Sequence, residues 1–249
     1  MTDLPFAGKL VAVTGACGAY GKEIATAFCR QGAKLLLSDL APALAPSDEL
    51  PAGSFVYLPA DLTQAADVQA LADNLLSQGT PDVLINNAGL FPFLDVLDMP
   101  LDAFDRILSV NLRAPFHLMQ RLGAAMAVRG SGAICNISSG AASVVRENGA
   151  VYGASKAGLE QLTRAFAVRL GPQGVRVNAV RPGLRGDTRD PIPESHLQRV
   201  GSGVPLRRLA RPGEIGNVIT FLSSDAAAFI SGETIAVDGG NAINRRVPA

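Results

Sequence analysis

The feature that most constrains this chain is an alternation of two hydrophobic patterns. Short runs, apolar or β-branched almost throughout, occur at Lys9–Val13, Lys34–Ser38, Phe55–Leu58, Val83–Asn86, Ala133–Ile137, Val175–Val180 and Thr234–Val237. Between them lie longer stretches with helical spacing: Lys22–Gln31 closed by Gly32, Thr63 to about Gln78 with Thr63 as its cap, Leu101–Arg129 with Pro115 as a kink, Ala150–Leu170 and Glu214–Leu222. A strand that is apolar along its whole length is covered on both faces, which is the condition of a parallel sheet with helices on either side. The pattern predicts an α/β, doubly wound fold: a single seven-stranded parallel sheet with helices on both faces. Such sheets bind ligands at the carboxyl ends of their strands. No internal repeat or boundary interrupts the series, so one domain is expected over residues 1–249. Residues 40–54, with three prolines, read as an irregular connection.

Composition narrows the class. At 48% hydrophobic residues the chain can bury a sizeable core. Its 22 basic and 22 acidic residues give no basic excess for a nucleic-acid binder. The neutral total hides an asymmetry: residues 1–139 hold 8 Lys/Arg and 13 Asp/Glu, residues 140–249 hold 14 and 9. No uncharged apolar run reaches membrane-spanning length, and Met1-Thr2-Asp3 opens no basic-then-apolar leader. Cys17, Cys29 and Cys135 fit neither a disulfide framework nor a zinc spacing, so a reduced cytoplasmic protein with no bound metal, no nucleic-acid partner and no membrane partner is expected.

Two constellations carry chemistry. Thr14-Gly15-Ala16-Cys17-Gly18-Ala19-Tyr20-Gly21 follows the first strand and opens the first helix. Glycines there let the backbone approach a pyrophosphate, and the helix start adds free N–H groups. A tight turn alone would also use glycines; the strand–turn–helix setting favours a dinucleotide. Asp39, 18 residues after Gly21, ends the second strand, where a carboxylate accepts ribose hydroxyls and repels a 2′-phosphate. With no Arg or Lys between Ser38 and Ala60, NAD is expected over NADP.

The second constellation is Tyr152-Gly153-Ala154-Ser155-Lys156. Tyr152 and Lys156 share a helix face, and a nearby ammonium favours the phenolate of a Tyr whose solution pKa is near ~10. A lone pair of this kind is usually a solvated face. Here Ser138-Ser139 ends the fifth strand 13 residues before Tyr152, Asn86-Asn87-Ala88-Gly89 ends the fourth, and Asn111 interrupts an apolar helix.

Taken together, these motifs resemble the classical short-chain dehydrogenases/reductases, from about Lys9 to Gly240. The resemblance implies a Rossmann fold and a tetrad of Asn111, Ser139, Tyr152 and Lys156. It places the cofactor against Gly15, Gly18, Tyr20, Gly21, Asp39, Asp61, Leu62, Asn87, Ala88, Gly89, Pro182 and Gly183, besides Tyr152 and Lys156. Val237-Asp238-Gly239-Gly240 matches the closing strand. Hydride transfer at the nicotinamide is implied, with Tyr152 as acid or base, Ser139 on the substrate oxygen, Lys156 on Tyr152 and the ribose, and Asn111 on a water leading to solvent. A homotetramer, a dimer of dimers built on the helices near 101–129 and 150–170, is also implied. The chain departs from the family in Leu184-Arg185-Gly186-Asp187-Thr188, where the Thr comes one place late for the carboxamide.

The loops that set specificity in that family hold Arg146, Glu147 and Asn148, then Arg185, Arg189 and His196 in a lid over about 184–212, then Arg245 and Arg246. Arginine suits bidentate recognition of a carboxylate. An anionic, hydroxylated small-molecule substrate such as a sugar acid, keto-deoxy sugar acid or hydroxy acid is the reading pursued, with Arg146 as first anchor and Asn148, Arg185 and His196 as companions; it points to carbohydrate metabolism. Surface arginines in an Arg-rich chain explain each one singly. Phe91, Phe93 and Leu94 line the entrance on this reading, while His117 and Cys135 read as structural. Two alternatives stay open: a 3-oxoacyl thioester reductase, which Asp39 disfavours, and a non-catalytic dinucleotide-binding regulator, which the intact tetrad disfavours.

Overall fold

Seven strands line up in the order β3-β2-β1-β4-β5-β6-β7, every neighbouring pair parallel. They are β1 Leu10–Thr14, β2 Lys34–Ser38, β3 Phe55–Tyr57, β4 Val83–Asn86, β5 Gly132–Ile137, β6 Val175–Pro182 and β7 Thr234–Val237. The helices are α1 Ala19–Arg30, α2 Ala65–Ser77, α3 Leu101–Leu108, α4 Ala114–Arg129, α5 Ala150–Leu170, α6 Glu194–Gly203 and α7 Glu214–Ser223. The computed structural model describes residues 4–92, 94–145, 147–186 and 193–243.

The continuous apolar strands have the explanation the sequence suggests. Val11, Val13, Leu35, Leu37, Val83 and Ile85 point to one face, where they pack with Ile24 and Phe28 of α1 and Ile215 and Ile219 of α7. Ala12, Leu36 and Leu84 point to the other, against Leu71 and Leu75 of α2, Leu118 and Leu122 of α4 and Leu159 of α5. Alternate side chains serve opposite layers, so neither set can be polar. The strand order reverses between β1 and β4, which opens a crevice at their carboxyl ends. Residues 40–54 form no helix or strand.

Three local expectations need correction. The stretch Leu101–Arg129 is broken just before Pro115: a π-helical turn, Ser109–Arg113, joins α3 to α4, and Pro115 sits in the first turn of α4. Pro115 has no N–H for the usual helical bond, and a widened turn just ahead of it absorbs the gap. Thr63 does not cap α2; Gln64 holds that position, and the Thr63 hydroxyl donates to Asp61 Oδ1 at 2.7 Å instead. β6 runs two residues past its expected end because Arg181 and Pro182 pair with Ala236 and Val237. Among the described residues no helix is long and apolar enough to cross a membrane.

Candidate active site

The glycine loop is built by close approach. Gly15 has a φ of 68° and lies against β4's end: a methyl there would come within 2.7 Å of Ala88 Cα. Gly21 is packed harder, with a methyl falling inside the Gly15 carbonyl. Gly18 differs, since a methyl would meet nothing closer than 3.5 Å; it stands at the start of α1 and supplies no side chain to cap the first turn. The loop is clamped from β4, as Asn87 Nδ2 donates to the carbonyls of Thr14 and Gly15 at 3.0 and 2.9 Å. Thr14 Oγ1 accepts the N–H groups of Asn87 and Ala88.

Asp39 closes the far side of this loop. Its Oδ2 accepts the Cys17 N–H at 2.8 Å and its Oδ1 accepts the Leu40 N–H at 2.8 Å. The carboxylate is therefore held by backbone in a fixed, half-buried position beside the loop. Asp61 follows β3; its bonds from the Thr63 hydroxyl and N–H hold its carboxyl below the usual carboxylate range, while Leu62 is buried behind it. A side-chain-free helix start with a carboxylate fixed beside it fits a nicotinamide dinucleotide.

The tetrad residues converge on the carboxyl ends of β4 and β5. Lys156 is 3% exposed; its ammonium donates to the Ile137 carbonyl at 2.7 Å and stands 5.8 Å from the centre of the Tyr152 ring. Burial pushes the Lys156 pKa down to about 8. Asn111, fully buried in the π turn, forms a reciprocal pair with Leu90: its Oδ1 accepts the Leu90 N–H and its Nδ2 donates to the Leu90 carbonyl, both at 2.8 Å. Its Nδ2 also donates to Ser155 Oγ on α5 at 3.1 Å. Gly89 forms the wall between them, since a methyl there would sit 3.6 Å from Lys156 Nζ and 3.8 Å from Asn111 Oδ1.

Ser139 Oγ accepts the Ala141 N–H at 3.2 Å, which uses a lone pair and leaves the hydroxyl proton for another acceptor. One contributor escaped the sequence, and another does more than the sequence suggests. Gly153 lets α5 press on the turn after Ser139: a methyl would lie 2.7 Å from the Ala141 carbonyl, so this glycine sets the Ser139–Tyr152 spacing. Phe91 stacks at a tilt against Tyr152, ring centres 5.9 Å apart, which puts it on the tetrad itself rather than at an entrance only.

The substrate candidates fare unequally. Arg185 is withdrawn: it is 3% exposed, paired with Glu23 of α1, and its guanidinium carbon lies 5.6 Å from the Tyr20 ring centre. Glu23 also accepts the N–H groups of Gly213, Ile215 and Gly216 through Oε1, so the charge of Arg185 meets a carboxylate inside the protein. His196 lies on α6, its Nδ1 3.0 Å from Arg199 Nη2, and Asn148 is exposed in the turn before α5. Arg146, Phe93, Thr188, Arg189, Arg245 and Arg246 lie outside the described residues. Leu94 is half-buried and Phe91 exposed. Tyr20 donates its hydroxyl to the Gly183 carbonyl at 2.5 Å, joining the glycine loop to the turn after β6. His117, its Nε2 2.9 Å from Gln69 Oε1, and the buried Cys135, its thiol pKa pushed up to about 12 by burial, are both structural. A cavity of about 690 Å³ beside α6, lined by Gly183, Val204, Leu209 and Val237 among others, includes none of the tetrad.

A glycine loop opening a helix, an acidic end to the second strand and a Tyr–Lys pair beside a strand-end Ser define a dinucleotide-dependent oxidoreductase. Over residues 15–242 the chain matches the family described as enoyl-(acyl carrier protein) reductase. It is 34% identical over 259 residues to the D-threitol dehydrogenase of Mycolicibacterium smegmatis, covering 97% of this chain and 95% of that one. It is 36% identical over 248 residues to the 7alpha-hydroxysteroid dehydrogenase of Escherichia coli, covering 96% of each. A solved structure from Beutenbergia cavernae, provisionally assigned as an NAD(P)-dependent gluconate 5-dehydrogenase and holding NADP at low occupancy, superposes with a TM-score of 0.84 at 32% identity, covering 96% of this chain and 98% of that one. The chain belongs to the classical short-chain dehydrogenase/reductase family and is an oxidoreductase.

Proposed function

We propose that this protein transfers hydride between a secondary alcohol or ketone and NAD(H), with Asn111, Ser139, Tyr152 and Lys156 as its working residues. The observation that carries this reading is the buried Lys156, whose ammonium is fixed on the Ile137 carbonyl beside the Tyr152 ring. The bound nicotinamide supplies the hydride acceptor or donor. Tyr152 takes the alcohol proton in oxidation and returns it in reduction. Lys156 stabilises the phenolate form by charge, and the free Ser139 hydroxyl proton holds the substrate oxygen. Asn111 keeps Leu90 and α5 in place around them.

NAD over NADP is supported by the fixed carboxylate of Asp39, against which stands the NADP of the Beutenbergia structure. We read the substrate as a polar hydroxylated compound, a sugar acid or related hydroxy acid. The polyol and gluconate names of two relatives support this, and the steroid name of a third sets its limit. With Arg185 paired inside the protein, we read Arg146 as the anchor of an acid, with Asn148 and His196 as further candidates. A homotetramer is likewise our proposal, supported by exposed apolar side chains on α4 and α5 such as Val128 and Val168. The test is NADH formation across matched panels of neutral polyols, sugar acids, hydroxy acids and steroids, with NAD and NADP in parallel. Turnover with hydroxylated acids and NAD supports the reading; turnover with none of these alcohols, or only with NADP, overturns it.

A further inference from the structure

A second polar cluster lies just beneath the tetrad and takes no part in the chemistry described above. Glu160 stands on α5 four residues after Lys156, one helical turn deeper, and is 4% exposed. Its Oε1 accepts the Ser138 hydroxyl at 2.5 Å and Arg181 Nε at 2.6 Å, and its Oε2 accepts Arg181 Nη2 at 2.5 Å. Ser138 precedes Ser139 at the end of β5, and Arg181 precedes the Pro182-Gly183 turn at the end of β6. One carboxylate thus joins the three elements that carry Tyr152 and Lys156, Ser139, and Gly183.

Cohesion does not explain this arrangement. β5 and β6 already pair along their length, and Ser138 N–H donates to the Val180 carbonyl at 2.8 Å without help from any side chain. The pair adds little net stability, because burying the Glu160 carboxylate costs desolvation while solvent at the 23% exposed Arg181 side chain screens the attraction. What the cluster does supply is geometry: a bidentate Arg–carboxylate pair has a fixed plane, and the Ser138 hydroxyl bonds to one edge of it.

We propose that Glu160 is a positioning residue for the reaction. Through Ser138 it fixes the last residues of β5, and with them the Ser139 hydroxyl and the Ile137 carbonyl that holds Lys156, relative to Tyr152 on its own helix. This rests on the reading of the tetrad given above.

Glu160→Ala would take the bidentate partner from the half-buried Arg181 and leave a gap in the core, and so would test folding as much as chemistry. Ser138→Ala removes only the hydroxyl and keeps the Arg181–Glu160 pair, which makes it the sharper probe. We measure kcat per active site, counted by NADH binding, with KM for NAD and Tm. Positioning predicts a fall of about tenfold or more in kcat, with KM for NAD and the NADH Kd within twofold of wild type and Tm within a few degrees. An unchanged kcat per site overturns the proposal, as does a fall in NADH affinity equal to the fall in kcat. Tyr152→Phe, run alongside, separates the two levels: if it keeps wild-type turnover, the reading of the tetrad fails, whereas an inactive Tyr152→Phe with a fully active Ser138→Ala removes only the role given to Glu160.

Discussion

Replacing Lys156 by Met should make the protein more stable and inactive at once. The ammonium is buried, and burial alone brings its pKa from 10.5 to about 8. That gap of about 2.5 units corresponds to roughly 3 kcal/mol of destabilisation at pH 7, where the side chain is charged both folded and unfolded. Methionine fills similar volume without charge but leaves the Ile137 carbonyl without its 2.7 Å donor, a loss of about 1–2 kcal/mol. The balance is a gain of about 1–2 kcal/mol at pH 7, a few degrees in Tm for a chain of this length. The sign depends on pH. Because the folded-state pKa lies below the unfolded one, the unfolded chain binds more protons between pH 8 and 10.5, and wild-type stability rises across that window through this group. At pH 10 the charge penalty has fallen to under about 1 kcal/mol, below the worth of the lost hydrogen bond, so the variant becomes the less stable one. Thermal or urea unfolding of both proteins without cofactor, at pH 7 and pH 10, measures this directly. A variant less stable at pH 7, or a difference that does not change between the two pH values, would refute the reasoning.

Two further outcomes follow from the geometry of the site, and a third from the sequence. Asp39→Ala should lower kcat/KM for NAD by about tenfold to a hundredfold, the worth of one or two hydrogen bonds, and raise the NADP/NAD ratio; steady-state kinetics with both cofactors checks it. Gly153→Val should cut kcat more than a hundredfold, with NADH binding largely kept, because the added side chain drives α5 off the Ala141 carbonyl and parts Tyr152 from Ser139; fluorescence titration with NADH separates this from misfolding. Arg146→Met should raise KM for an acid substrate and leave KM for a neutral polyol unchanged, which kinetics on one substrate of each kind decides.

What could be read from the sequence follows the range of the forces involved. The seven strands were legible because burial on both sides leaves no freedom in side-chain type along Val11–Val13 or Leu35–Leu37. The glycine loop and Asn111 were legible because a tight approach and a buried amide each demand a residue type. Arg185 was misread because its partner, Glu23, lies 162 positions earlier in the chain, and nothing local distinguishes a buried arginine from a substrate anchor. Glu160 was invisible for the same reason, since a Glu four residues after a Lys looks like a solvated pair until Arg181 is brought beneath it by β6. Gly153 passed as a filler within the Tyr–Lys motif, because its meaning is the distance to Ala141 across the site. The π turn at Ser109–Arg113 hid behind Pro115, the more conspicuous breaker one turn later.

The central claim is that Tyr152 moves the proton, so its hydroxyl matters to the chemical step and not to cofactor binding. The most direct measurement is single-turnover NADH formation by wild type and Tyr152→Phe on the best alcohol from the substrate panels, with NADH affinity measured on both. The account predicts a loss of at least a thousandfold in the chemical step, with NADH Kd within a few-fold of wild type. A Phe variant that forms NADH at near the wild-type rate would contradict it.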